Sequence, residues 1–504
     1  MADLQRMDSG LQPAEPASIF SNEQIIEQIG VLADQGLFKG KADILNDAAK
    51  LATQVDTRSL SRYELAIFHY HVSNVWGNSF KLLPDDRKQE RIWEQPEIEK
   101  QLIHNRLAVS ALETTDGACP LPVVCAIYTN LGNTLFQIGR FVEALDYWDR
   151  ALVLKPDFGM AVANKGYGLL HYAHLLHDEG HAMIFLLQSR ETLRQALKLE
   201  IDPHARPFFK DHLKSLNRVL YPYNDKKFLT PVGEFPEKEN GETAFRNWRL
   251  QNRLFLNPLN DLGTFMEAAS DVLMTLSLEK DPANPSPFHD HFTLLKQEFT
   301  CARQLYFESV QSAPGIAASG GAILSSPENA ACDLSIEKLK IAFRMAYSLF
   351  DKIAFFLKKY FQLPISQQRV NFRTLWYPEG RKANGLQPIL LQSQNWPLRG
   401  LFWLSKDLYE HNLDFKEGLE ADARQLYALR NHLEHNYLLI QDDALYAASY
   451  AASGKTGLRV TNDASVYVIG RTDFADRTLR ILKMVRAALI YLSLAVHREA
   501  SQLP

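Results

Sequence analysis

Three things are scarce in this 504-residue chain, and each absence narrows its class. Cysteine is one: Cys119, Cys125, Cys301 and Cys332 form no CxxC pair and are too few to staple a chain of this length. That excludes a disulfide-built scaffold and favours a reducing compartment. Long apolar runs are the second. The longest near the end, "AALIYLSLAV", falls far short of the roughly 20 residues a membrane span needs, and the opening "MADLQRMDSGLQPAEPAS" has no apolar signal core. The expectation is a cytoplasmic protein with no membrane segment. The third is charge of one sign: with a net charge of −4 and a pI near 6.4, no global basic field advertises a nucleic-acid binder, so any such site must be a local patch.

What is abundant is helix-forming apolar sequence. Hydrophobic residues make up 46% of a chain longer than one core usually organises, so two or more domains are expected. In "YTNLGNTLFQIGRFVEALDYWDRALVLKPD" (128–157), small or apolar residues stand wherever two antiparallel helices must touch: Leu131, Gly132, Ala144, Trp148 and Ala151. Gly132 and Ala144 permit close approach, Tyr128 and Trp148 fill the gaps beside them, "QIGRF" makes the turn, and Pro156 is the stop. The segment resembles a tetratricopeptide repeat. A second, imperfect copy follows, with Gly166 in the place of Gly132 and Ala196 in that of Ala151; its wider spacing predicts helices longer by about three turns. Residues 25–52 look like a more degenerate hairpin and 63–83 like a further helix. Stacked hairpins bury apolar faces that none can bury alone, so a solenoid is expected.

Between about 225 and 242, "DKKFLTPVGEFPEKENGE" is rich in Pro, Gly and charge and has no helical period, which marks a boundary. The predicted organisation is therefore all-α: a helical repeat domain over 1–225, a linker over 226–241 and a second helical domain over 242–504. In the second domain, helices are expected at about 289–312, 334–361, 414–440 and 473–499, with a long insertion over 362–400. "GLRVTNDASVYVIGR" alternates with period two around an Asn-Asp turn and predicts one small β-hairpin before the last helix.

The chemistry concentrates in "ALRNHLEHNYLL" (428–439). On a helix, Leu426, Leu429, Leu433, Tyr437 and Ile440 cluster on one side as a core-facing stripe. His435 falls almost opposite, Asn431 one turn before it, and Arg430 and Glu434 at the flank, so this polar group should face away from the core. Arginine, a polar residue directly after it and a histidine five positions on, in the third long helix of a four-helix bundle, resemble the motif of the HEPN superfamily of ribonucleases. The combination with N-terminal tetratricopeptide repeats, and the lead-in "FRNWRLQNRLFLNPLNDL" (245–262), resemble one HEPN family in particular.

That resemblance implies metal-independent RNA cleavage needing no cofactor, in which a 2′-hydroxyl attacks the adjacent phosphate to leave cyclic phosphate and 5′-hydroxyl ends. The residue types suit it. A histidine is able to transfer protons near neutral pH. An arginine presents a charged fork of donors, so Arg430 would stabilise the phosphate and Asn431 would orient one of the two. Such nucleases generally build the site across a homodimer axis, with one His435 from each protomer as base and acid. His432 and Glu434 add titratable groups, and Glu434 stands one turn from Arg430, within pairing reach. Defence against phage, in the manner of a toxin, is the implied setting, with the repeat domain as a sensor or a docking site for a protein partner. The alternative is a non-catalytic scaffold, or an adaptor that binds RNA or a nucleotide.

Other features are weighed against simpler readings. His174, His177 and His181 of "HYAHLLHDEGH", with His171, invite a metal site, but ordinary repeat-helix histidines are expected, so no metal ligands are assigned. "FHDHF" (288–292) is a weaker case still. "SGKTG" (453–457) lacks the upstream glycine of a phosphate-cradling loop and reads as a turn. Arg246, Arg249 and Arg253, with Arg373, Arg381, Lys382 and Arg399 of the insertion, are candidate RNA contacts, and Trp248, Trp376 and Trp396 candidate stacking partners.

Overall fold

A computed structural model describes residues 21–90, 93–113, 119–223, 228–232, 241–273, 287–311, 334–408, 423–444, 446–447, 459–460 and 466–500. The chain divides into two compact units, residues 1–119 and 120–504.

The first unit is built from α1 (Asn22–Lys39), α2 (Ala42–Ala52), α3 (Arg62–Lys81), α4 (Asp85–Glu90) and α5 (Pro96–Glu113). Capping boxes start α1 and α3: the Ser21 and Ser61 hydroxyls accept the N–H groups of Gln24 and Glu64, whose side chains accept the cap N–H groups in return. Ile25, Ile26, Ile29 and Ala33 recur at helical spacing on α1 and meet Leu45, Phe68, Val72 and Val75 in one core. Between α3 and α5, His69 Nδ1 and His104 Nδ1 are 2.9 Å apart. Burial, with a smaller contribution from the other imidazole, pushes His69 down to about 3. Burial, with a smaller contribution from Lys100, pushes His104 to about 4. Two neutral rings can bond in this way only as opposite tautomers, one protonated on Nδ1 and the other on Nε2.

The second unit begins with the repeat hairpin, α6 (Leu121–Gln137) and α7 (Phe141–Leu154). Its helices touch where the sequence pattern requires: a Cβ on Gly132 would lie 2.6 Å from Trp148 Nε1, which donates to Asn133 Oδ1 at 3.0 Å. The next hairpin is α8 (Gly159–Ala173) and α9 (Glu179–Ala196), followed by α10 (Arg206–Val219). These helices are 15 and 18 residues long against 17 and 14 in the first hairpin. The expected three extra turns are therefore absent, and Ala196, at the very end of α9, is not the counterpart of Ala151.

The chain continues through α11 (Gly241–Gln251), α12 (Pro287–Gln311), α13 (Leu334–Tyr360), α14 (Pro388–Gln392), α15 (Trp396–Ser405), α16 (Ala423–His435) and α17 (Arg471–Ala500). Helices α12, α13 and α17 pack on one another, with α16 against α13 and α15 against α17. Three strands, β1 (Tyr437–Gln441), β2 (Arg459–Val460) and β3 (Val466–Gly470), form a sheet of order β1-β3-β2. The expected hairpin is the antiparallel β2–β3 pair; its Asn-Asp turn lies outside the described residues. Strand β1 was not foreseen. It pairs in parallel with β3, Tyr437 opposite Val466, so the helix expected to run to 440 stops at His435. Tyr437, 70% exposed, leaves the proposed apolar stripe, and Ile440 is buried from a strand instead. Pairing with β3 has overridden a helical period that this short run satisfies equally well.

The repeat hairpins and the bundle share one unit, whereas the sequence pattern placed a division at 226–241. The seam between them is made of close backbone contacts and buried charge. Gly139, at φ +90°, turns the repeat hairpin against α15, so that a Cβ on Gly400 would lie 2.3 Å from the Gly139 carbonyl oxygen. Arg399 Nη2 donates to the Gln137 carbonyl at 2.7 Å. Arg140, 3% exposed, bridges Glu143 at 2.7 Å and Asp407, 1% exposed, at 2.5 Å. The Tyr491 hydroxyl of α17 donates to Glu143 and accepts the Val142 N–H at 3.0 Å. Further along, Arg486 pairs with Asp261 at 2.5 Å, and Asp261 also accepts the Tyr172 hydroxyl at 3.1 Å.

Candidate functional site

Helix α16 is held by one side and leaves the other free. Ala423, Leu426, Leu429 and Leu433, at spacings of three and four, are buried. Arg430, Asn431 and His432 are half-buried, and Glu434 and His435 are exposed. The last turn closes with the Asn436 N–H donating to the His432 carbonyl at 3.2 Å, and the chain then extends into β1. His435 therefore stands at the final helical position, on the solvent side, as its spacing from the leucines requires.

Within this group the contacts are specific. Arg430 Nη1 reaches Asn431 Oδ1 at a long 3.4 Å. Glu434 does not pair with Arg430: it meets Arg344 of α13, with Glu434 Oε1 3.6 Å from Arg344 Nε. The charge that faces Arg430 is Asp351, two turns beyond Arg344 on α13. Burial raises the Asp351 carboxyl above its ordinary range, while the Phe372 N–H, donated at 3.2 Å, and Arg430 work against that rise. His432 turns toward the sheet, its ring 5.2 Å from that of Tyr467 and its buried Nδ1 without a hydrogen bond. Arg344, Asp351 and Tyr467 were not foreseen as neighbours of the motif.

The candidate RNA contacts are dispersed. Arg253 is bound to Asp149 and lies 3.9 Å from Asp146, both on the repeat helix α7. Arg249 sits between the rings of Phe245 and Phe255, 4.1 and 4.2 Å away. Burial and the nearby Arg303 push it down to about 10. Arg246 reaches Asn247 Oδ1 at 3.3 Å. Of the insertion residues, Arg381 and Lys382 are exposed, while Arg373 and Trp376 are buried. Trp396 packs on Phe136 and Phe141 of the repeat, and Trp248 stacks on Tyr306. These arginines and tryptophans thus spend their side chains largely on packing.

The histidines read as a possible metal group do not share a helical face, because α8 ends at Ala173 and α9 begins only at Glu179. His171 packs on Tyr167, and His177 on His497. Among the described residues, no group of three or more His, Cys, Asp or Glu side chains is placed to hold a metal ion. Nor is any described helix long and apolar enough to cross a membrane. "SGKTG" lies outside the described residues.

Comparison with known families agrees with this geometry. Residues 125–158, the α6–α7 hairpin, match the family model of the tetratricopeptide repeat, and residues 280–499, from before α12 to the end of α17, match that of the LA2681-like HEPN domain. The chain joins a tetratricopeptide repeat to an LA2681-like HEPN domain. No curated protein and no solved structure matches it. The HEPN match contains α16 and hence Arg430, Asn431 and His435, together with Arg344 and Asp351 of α13.

Proposed function

We propose that the HEPN domain is a metal-independent endoribonuclease whose site is centred on Arg430, Asn431 and His435. The observation that carries this reading is their common placement. All three stand on the side of α16 left free by the leucine stripe, within one and a half turns, so a phosphate approaching that face meets a guanidinium fork, an amide and an imidazole together. The 2′-oxygen attacks the neighbouring phosphorus, its proton passing to a neutral imidazole. A P–O bond forms to the 2′-oxygen as the P–O5′ bond breaks, and an imidazolium gives its proton to the departing 5′-oxygen. The products carry 2′,3′-cyclic phosphate and 5′-hydroxyl ends. Arg430 stabilises the charge that grows on the phosphoryl oxygens, and Asn431 orients its guanidinium.

One imidazole cannot be base and acid in the same step. A homodimer that faces two α16 helices across a two-fold axis supplies the second His435. The repeat serves as a sensor or as a docking site for a protein partner, and a role in antiphage defence follows from pairing such an input with an RNA-cutting output. The deciding experiment incubates the full chain, and the full chain with His435→Ala, with total RNA in EDTA. Cleavage by the first alone, leaving cyclic phosphate ends, supports the reading. Undiminished cutting by His435→Ala, or activity that EDTA abolishes and magnesium or manganese restores, refutes it and leaves the scaffold reading ahead. Light scattering that finds only monomer while RNA is still cut refutes the composite site.

A further inference from the structure

Opposite charges on α13 and α16 face one another in two steps. Arg344 meets Glu434, and seven residues later on α13 Asp351 faces Arg430, four residues earlier on α16. Seven residues is about two turns and four about one, so both pairs lie along one helix–helix contact between antiparallel helices. The first pair is exposed and contributes little by itself. Its effect is to occupy Glu434, the only carboxylate one turn from Arg430 on its own helix, with a different partner.

The second pair is anchored. The Asp351 carboxylate accepts the Phe372 N–H at 3.2 Å, and that N–H is aimed by a tightly closed turn. Asn371 Oδ1 accepts the N–H groups of Arg373 and Thr374, each at 2.9 Å, and the Thr374 hydroxyl donates to the Arg369 carbonyl at 2.6 Å. Phe372 itself is buried with its ring 5.2 Å from that of Phe350, and its carbonyl accepts the Trp376 indole N–H at 2.8 Å. The insertion therefore reaches into the bundle at one place and fixes one carboxylate oxygen there. Burial disfavours the charge on this carboxyl, and Arg430 is the only cation that offsets the cost among the groups acting on it.

We propose that Asp351 is a positioning residue: held by the Phe372 N–H, it engages one edge of the Arg430 guanidinium and leaves the other edge presented to the scissile phosphate. This rests on the ribonuclease reading for its catalytic consequence, but not for the pairing itself. A guanidinium suits the role because its planar fork serves two acceptors at once, whereas the 3.4 Å contact to Asn431 is too long to fix it. The insertion thereby acquires a function, since the turn at Asn371–Thr374 sets where the carboxylate points.

The test uses the full chain with Asp351→Asn, Arg430→Lys and the double variant, and a fluorescein-labelled mixed-sequence single-stranded RNA as probe. Asn retains an acceptor for the Phe372 N–H and removes only the charge. Asp351→Asn is expected to lower kcat about tenfold with KM within about twofold, because an interaction needed in the transition state is lost. The double variant should be no slower than the slower single. The same cycle is read by urea denaturation, where the two single midpoint shifts should sum to more than that of the double. A kcat unchanged in Asp351→Asn, or additive midpoint shifts, overturns the proposal. If the wild-type chain cuts no RNA, the ribonuclease reading falls, and the denaturation cycle alone decides whether Asp351 holds Arg430.

Discussion

Replacing Asp407 with leucine should loosen the repeat from the bundle far more than its single hydrogen-bonded contact suggests. Arg140 and Asp407 are 3% and 1% exposed and 2.5 Å apart, so neither has water to fall back on. Breaking such a pair from one side costs about 3 to 5 kcal/mol, because a charge stays buried without its partner. Here Glu143 remains on Arg140 at 2.7 Å, which places Asp407→Leu near the lower end. Arg140→Leu strands two carboxylates, Asp407 and Glu143, and belongs at the upper end. The double variant Arg140→Leu/Asp407→Leu leaves only Glu143, which is partly exposed and still accepts the Tyr491 hydroxyl. It should cost about 1 to 3 kcal/mol, the loss of a charged hydrogen bond, and so be more stable than Arg140→Leu. Hydrogen exchange of α7 and α17 in the full chain reads this locally. At about 1.36 kcal/mol per factor of ten, a loss of 3 kcal/mol lowers protection by roughly 150-fold. If the double variant exchanges faster than Arg140→Leu, the pair is not held by mutual charge and the reasoning is wrong.

Gly400→Ala should cost about 1 to 3 kcal/mol by overpacking: its Cβ would fall 2.3 Å from a backbone oxygen that cannot rotate aside, and a urea midpoint equal to wild type would show the contact to be slack. Leu433→Ala empties a core position and should cost about 2 to 5 kcal/mol. His435→Ala, exposed, should stay within about 0.5 kcal/mol of wild type while losing cleavage, so equal stability losses in the two would contradict the assigned faces. The His69–His104 pair gives the first unit a dependence on acid. Both folded values lie below the ordinary 6.5, so their contribution is fully present above that pH and is lost as pH falls towards about 4 and then about 3. The loss is on the order of 3 kcal/mol for His104, and NMR titration of either ring near pH 6.5 in the folded chain would contradict it.

Much of the helical layout was legible because it rests on period alone. Helices expected at 289–312, 334–361 and 473–499 lie at 287–311, 334–360 and 471–500. The repeat was legible for a different reason: Gly132 and Trp148 belong to a pattern that only two touching helices require. Strand β1 was not, because "YLLIQ" fits either period and its partner β3 lies beyond a long segment. The seam was equally hidden. Arg140, Asp261, Asp407 and Arg486 look in sequence like surface charges, and only their mutual proximity makes burial tolerable. At the site, the polar face of α16 followed from the leucine spacing. The partners Arg344 and Asp351 did not, since a contact between distant helices leaves no mark in local pattern; for Glu434 the local rule pointed to Arg430, and the structure pairs it with Arg344 instead.

The glycine contact at the seam has a consequence for inheritance. Gly139 and Gly400 lie far apart in the chain yet must both stay small, and Arg140, Glu143, Asp407 and Tyr491 must change together or not at all. Exchanging this hairpin for another repeat of the same family would therefore fail unless α15 and the facing turn of α17 came with it. The hairpin and the bundle form one transferable cassette, and its smallest self-sufficient version starts near residue 120, at the edge of the compact unit, rather than at the proline-rich stretch where a designer cutting by composition would place the scissors.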